Sequence, residues 1–158
     1  MAAHPFRATV RWSGNRGSGT SSYTAYSREH EIAGDGKSTV VPGTSDLAPG
    51  GDRSRYTPEE LVAAALASCH MLWFLHLAAV EGVVVTSYED APEGILEIDR
   101  EHGGRIVGVT LRPRVGLGRG DPSILPNLHA AAHEKCFVAN SVNFPVRVEP
   151  AVVPAPTA

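Results

Sequence analysis

Two side chains in this 158-residue sequence can act as soft nucleophiles, Cys69 and Cys136. A thiol attacks as its thiolate, and a cysteine that titrates at about 8.5 needs a cation, a helix N-terminus or a metal beside it to become reactive at neutral pH. Cys69 stands in the middle of an apolar run, twelve residues past Thr57, too far along a helix for the dipole, which acts within the terminal turn. Cys136 is placed worse, near the C-terminal end of a second helical segment, where the negative end of the dipole disfavours an anion. If one of the two attacks, Cys69 is the better candidate and Cys136 the resolving partner. The activating cation then has to come from another segment: Arg16 in a glycine-rich turn, Arg28, or Arg53 or Arg55 ahead of the first helix. Both thiols can equally be small buried hydrophobes, the ordinary condition of free cysteine.

A metal set competes for the same residues. His129, His133 and Cys136 fall at i, i+4 and i+7 on one face of the second helix, and Cys69 or His76 would complete four zinc ligands if the helices pack together. Helical His-x3-His pairs also occur without metal, their rings hydrogen-bonded within the core.

The element that must position Cys69 is the strongest helix signal in the chain, from Thr57 to Val80. Thr57 suits an N-cap, Pro58 the first helical position, and Glu60 completes a capping box with Thr57. From Leu61 to Val80 nearly every side chain is apolar, with no solvent face, which predicts a helix surrounded by protein. Its length would also suit a membrane span, but Ser68, Cys69, His70 and His76 interrupt it and no second apolar stretch exists.

Ahead of this helix, Phe6–Trp12 alternates with the period of a half-buried strand. Ser13–Thr20 is a glycine-rich turn, and Tyr23–Ile32 resumes strand character, which together predict a hairpin. A short strand near Ser38–Val41 and a Gly/Pro/Asp-rich loop through Gly43–Asp52 follow. After Gly82, three strand-like runs, Val83–Tyr88, Ile95–Asp99 and Ile106–Val115, read as an antiparallel meander. A second helix over about Ser123–Phe137, starting at the latest after Pro126, precedes a last strand at Val142–Val148 and a poorly ordered tail from Pro150. The predicted order is βββαβββαβ, an α+β domain whose antiparallel sheet carries both helices on one face.

Composition sets the frame. With 42% hydrophobic residues and a net charge of −3, the chain reads as one globular domain, residues 1–158. Its 14 basic residues are scattered, so no phosphate-binding patch, and hence no nucleic-acid partner, is expected. Residues 1–20 lack signal-peptide features, which predicts a cytoplasmic protein, where paired cysteines serve redox chemistry or packing more often than permanent disulfides.

Two segments carry a family resemblance. Tyr56-Thr57-Pro58-Glu59-Glu60-Leu61 through Ser68-Cys69, together with Ala132-His133-Glu134-Lys135-Cys136-Phe137-Val138-Ala139-Asn140-Ser141, resemble the OsmC/Ohr family of osmotically inducible and organic hydroperoxide resistance proteins. The resemblance runs from about Val10 to Val148 and includes both cysteines and their separation. It implies an OsmC-like fold in an intertwined homodimer with its sites at the subunit interface, no membrane association and no metal or organic cofactor. It further implies a thiol peroxidase in which Cys69 is oxidised by an organic hydroperoxide to a sulfenic acid, Cys136 condenses with it to a disulfide, and an external dithiol restores both. The family's Glu ten residues before the first Cys matches Glu59, and its loop Arg is best matched by Arg16. On one straight helix Glu59 and Cys69 are about 15 Å apart, so Glu59 is expected to reach the Arg beside Cys69 from the partner's helix, or the helix to begin irregularly. His70 directly after Cys69, and Phe137 to Ser141 without proline after Cys136, place the chain in a divergent branch. The alternatives to catalysis are a thiol redox sensor or stress protein without turnover, and a zinc-binding interaction domain.

Overall fold

The computed structural model describes residues 3–46, 48–99, 101 and 103–154. The chain divides into two compact units, one up to Leu61 and one from Val62 onward.

In the first unit β1 (Thr9–Trp12), β2 (His30–Ala33) and β3 (Val41–Gly43) form an antiparallel sheet in sequence order, with Thr9 opposite Ala33 and His30 opposite Gly43. The expected hairpin is present, but its second strand is confined to His30–Ala33 because residues 13–29 fold back on themselves. Ser27 N donates to Gly14 O at 2.9 Å, Ser13 N to Glu29 O at 3.0 Å, and the Trp12 indole to Ser27 O at 2.9 Å. A Cβ on Gly14 would overlap the Ser27 carbonyl, so only glycine permits this approach. All four β1 residues are exposed, not alternately half-buried as their pattern predicts.

The long helix α1 spans Pro58–Val80. Its capping box is formed as expected: Thr57 N donates to Glu60 Oε2 at 2.8 Å and Glu60 N to Thr57 Oγ1 at 3.3 Å. At the other end Gly82, with φ of 71°, takes the left-handed conformation, and Val83 N reaches back to Ala78 O at 2.9 Å in a Schellman closure. The helix is not enclosed on all sides. Ala63, Leu66, Ala67, His70, Phe74 and Ala78 form a buried stripe at three- and four-residue spacing, whereas Ala64, Ser68, Leu72, His76 and Val80 are exposed. By length and composition α1 is apolar enough to cross a membrane; here its buried stripe forms part of the core.

In the second unit four strands follow α1 instead of the expected three: β4 (Val84–Asp90), β5 (Glu93–Asp99), β6 (Gly103–Leu111) and β7 (Pro113–Arg119). They do not form a meander. β4 pairs with β7 and β5 with β6, both antiparallel, because the run expected to be one strand is split at Arg112. There the Arg112 N–H turns aside to Asp90 Oδ1 at 2.7 Å, and Pro113 has no N–H to donate. The Arg112 guanidinium holds the corner from outside, 2.8 Å from Glu93 and 3.3 Å from Glu149.

The second helix, α2, spans Leu125–Lys135, entered through a short 3-10 turn at Pro122–Ile124 that the Asp121 side chain caps by accepting from Ser123 N at 2.8 Å. Two short strands complete the sheets by parallel pairing: β8 (Val146–Val148) on β6, and β9 (Ala151–Val153) on β7. The sheets are therefore mixed, not purely antiparallel, and part of the expected tail is a strand; residues 155–158 lie outside the described residues. The α+β layout itself is the expected one.

Two apolar clusters make the core of this unit, and α1 contributes to both. Ala63, Leu66 and Ala67 pack with Val109 and Leu111 of β6. Phe74 and Ala78 pack with Val83, Val115 of β7, and Leu125, Leu128 and Ala132 of α2. The second cluster fixes α2 against the helix that carries Cys69.

Candidate active site

Cys69 lies on the border between the buried and the exposed stripe of α1, and its side chain is half-buried. It lines an apolar pocket of about 390 Å³ together with Leu72, Trp73, His76 and Phe137. Trp73 sits at the centre of the pocket's aromatic contacts. Its ring stands edge-on to Phe137 at 5.6 Å and to His76 at 5.9 Å, with Lys135 Nζ 5.8 Å above its face.

Cys136 is 1% exposed at the C-cap of α2, and Cys69 is the side chain from another element that acts on its thiol. Two residues of one pair, 67 positions apart, are brought together because the Phe74 cluster holds α2 against α1. Burial pushes the Cys136 thiol up to about 11, the neighbouring Cys69 adds to the rise, and backbone N–H groups oppose it. One of these is Ala139 N, 3.4 Å from Sγ, at the start of a 3-10 turn, Ala139–Ser141. That turn is closed by its own polar residues: Asn140 Nδ2 donates to Glu134 O at 2.9 Å and Ser141 Oγ to Phe137 O at 2.7 Å. The segment after Cys136 thus cradles the sulfur. At neutral pH Cys136 is a protonated thiol.

The other predicted site residues lie in the first unit. Glu59 is half-buried in the first turn of α1, and the helix runs unbroken from Pro58, so the irregular start considered from the sequence does not occur. Arg28 is committed to its own loop: it donates to Tyr23 O at 3.0 Å and Tyr26 O at 3.1 Å, and lies over both rings at 4.5 and 4.2 Å. Arg55 pairs with Glu29 and Asp52 at 3.6 and 3.4 Å. Arg16 and Arg53 are exposed and form no side-chain hydrogen bond or ion pair among the described residues.

The zinc set does not assemble. Among the described residues no three His, Cys, Asp or Glu side chains are placed to hold a metal, because His129 is turned to His70 instead, Nδ1 to Nε2 at 3.0 Å. Leu72 and Trp73 of α1 line the pocket, whereas Phe74 is wholly buried in the core. His76, seven residues after Cys69, shares its helix face with Leu72 and Trp73, whereas Phe137 is a pocket residue that helical spacing within α1 does not reveal. The signal for Phe137 was its place directly after Cys136.

An α+β domain of two mixed sheets, with a thiol pair between a long helix and a short one, defines a class that the comparisons specify. Residues 50–151 match the family model of OsmC-like proteins. An OsmC-like protein of unknown function from Vibrio cholerae is 34% identical with a TM-score of 0.82, the match covering 95% of this chain and 99% of that one. The chain belongs to the OsmC-like family. Two other structures share its fold. An organic hydroperoxide resistance protein OsmC from Legionella pneumophila is 20% identical with a TM-score of 0.63, over 96% of this chain and 98% of that one. The organic hydroperoxide resistance protein OhrB of Bacillus subtilis is 24% identical with a TM-score of 0.62, over 94% and 98%. No curated protein matches the sequence.

Proposed function

We propose that this protein is a thiol peroxidase that reduces organic hydroperoxides. The observation that carries the reading is a half-buried Cys69 at an apolar pocket with a second, buried thiol, Cys136, as its neighbour. The organic hydroperoxide resistance proteins of the same fold support the substrate class.

The Cys69 sulfur attacks the terminal oxygen of the hydroperoxide and the O–O bond breaks. The sulfur is oxidised to Cys69–S–OH, and the alkoxide leaves as the alcohol with the thiol's proton. Cys136 then attacks the sulfenic sulfur: the S–S bond forms, the S–O bond breaks, and the Cys136 proton leaves with the hydroxyl as water. Cys136 gives up its proton as its sulfur attacks, and the departing hydroxyl takes that proton up. An external dithiol reduces the disulfide by exchange. A reducing compartment such as the cytoplasm supplies such a reductant.

The cation for the Cys69 thiolate is assigned to Arg16, with Glu59 as its partner carboxylate. Since Glu59 stands ten residues before Cys69 on an unbroken helix, about 15 Å along the axis, it serves the site of a second copy in a homodimer. The exposed apolar side chains Leu72 and Val80 of α1 suit such an assembly.

The test is consumption of cumene hydroperoxide with a dithiol reductant by the wild type, Cys69→Ser and Cys136→Ser. Turnover lost in Cys69→Ser, and a sulfenic acid trapped on Cys69 in Cys136→Ser, are the expected results. A wild type that turns nothing over while both thiols stay reduced under peroxide overturns the reading.

A further inference from the structure

On the side of α1 away from the pocket, the core of the second unit holds a polar contact that the peroxidase chemistry leaves unused. His70 and His129 are 0% and 4% exposed, and His70 Nε2 lies 3.0 Å from His129 Nδ1. The two rings are parallel within 3°, and the His129 ring also stacks on Phe74 at 4.1 Å between centroids. His70 and Phe74 are neighbours one turn apart on α1, so the His129 ring is seated on a single turn of that helix. This is the only side-chain hydrogen bond joining α1 to the α2 segment among the described residues.

The rest of that interface is Phe74, Ala78, Leu125, Leu128 and Ala132. Apolar packing is strong but non-directional, whereas a hydrogen bond between two rings of fixed position holds in one axial register only, as a buried polar pair does in a coiled coil. From His129 to Cys136 the chain runs two helical turns, about 10 Å, and the seven-residue spacing returns both side chains to one face. His70 is the residue next to Cys69.

We propose that the His70–His129 pair is a register pin: it fixes where α2 stands along α1 and thereby positions the resolving thiol of Cys136 against Cys69. The roles of the two thiols rest on the peroxidase reading; the pin itself does not. Burial keeps both imidazoles neutral at pH 7, pulling each down to about 4, with His133 adding to the effect on His70 and His70 to that on His129. Each ring then carries one proton, so one donates and the other accepts. Neither is a catalytic residue, since neither lines the pocket.

Three variants test it. His129→Phe keeps the ring on Phe74 but leaves His70 unpaired. The double variant His70→Phe/His129→Phe removes both polar groups, the exchange that a fold tolerates best. His129→Asn places an amide near the former Nδ1 and should restore the bond. Two rates are read in each. One is disulfide closure after a single equivalent of cumene hydroperoxide, with sulfenic acid formation on Cys69 followed separately. The other is cross-linking of the two reduced thiols by dibromobimane, which needs no peroxide. Loss of a buried hydrogen bond predicts closure and cross-linking slower by about tenfold in the single and double Phe variants, recovery in His129→Asn, and an unchanged first step. A folded double variant that closes and cross-links at the wild-type rate overturns the proposal. So does a double variant that fails to fold, because the pair is then a requirement of the core and not a register device. Should the wild type form no sulfenic acid while the Phe variants still cross-link slowly, the peroxidase reading falls and the pin stands. Should the wild type turn over while all variants match it in both rates, the pin falls and the peroxidase reading stands.

Discussion

Cys69 and His70 are consecutive, yet the step of about 100° between them on α1 sends one to an open apolar pocket and the other into the core. On the Cys69 side the walls are Leu72, Trp73, His76 and Phe137, and the sulfur remains half-exposed. On the His70 side the rings are buried, and His70 Nε2 pairs with His129 Nδ1 while His70 Nδ1 is left without a partner. The difference teaches that a helix apolar nearly all round can still have two distinct faces, one packed into the core and one that lines an open pocket.

Breaking the open side has the largest effect on activity: Cys69→Ser should reduce hydroperoxide consumption to the background rate without changing the urea midpoint. Breaking the closed side should instead show in stability. Phe74→Ala removes a wholly buried ring that packs against α2 and His129, and should cost about 3–5 kcal/mol in urea unfolding.

The contrast can also be sharpened with pH. His70 and His129 titrate at about 4 in the folded chain, against 6.5 for an ordinary histidine. Between those values the unfolded chain binds more protons, so stability should fall as pH is lowered through 6.5 and level off below about 4. The loss is on the order of 3 kcal/mol for one such histidine. Urea midpoints at pH 7 and 4.5, compared between wild type and His70→Phe/His129→Phe, isolate this contribution from the carboxylates; equal slopes would contradict it. The smallest effect belongs to the start of the helix, where both faces are yet to diverge: Thr57→Ala should cost about 1 kcal/mol through the lost cap.

What the sequence made legible follows from how local each signal is. The capping box of Thr57 and Glu60 and the place of Cys69 in the middle of α1 depend on residues close together in the chain, and they stand where expected. The pairing of Cys69 with Cys136 came from family resemblance, not from periodicity. One-sided burial of α1 was invisible because apolar side chains occur all round it, so composition carries no phase. The split of β6 from β7 turned on one proline and on Asp90, more than twenty positions away, which alternation within a single run cannot register. The zinc alternative had the right spacing on α2, but the ring of His129 turns to a residue on another helix.

The parallel strands β8 and β9 have a consequence for synthesis. β6 and β7 are the central strands of their sheets, each completed on one side only when residues 146–153 arrive. Until residues 146–153 have emerged, the nascent chain carries two open strand edges, and long-range pairings of this kind close slowly. The thiols, already translated, wait in a half-built unit, which makes that interval the time when premature oxidation or edge-to-edge association would do most harm.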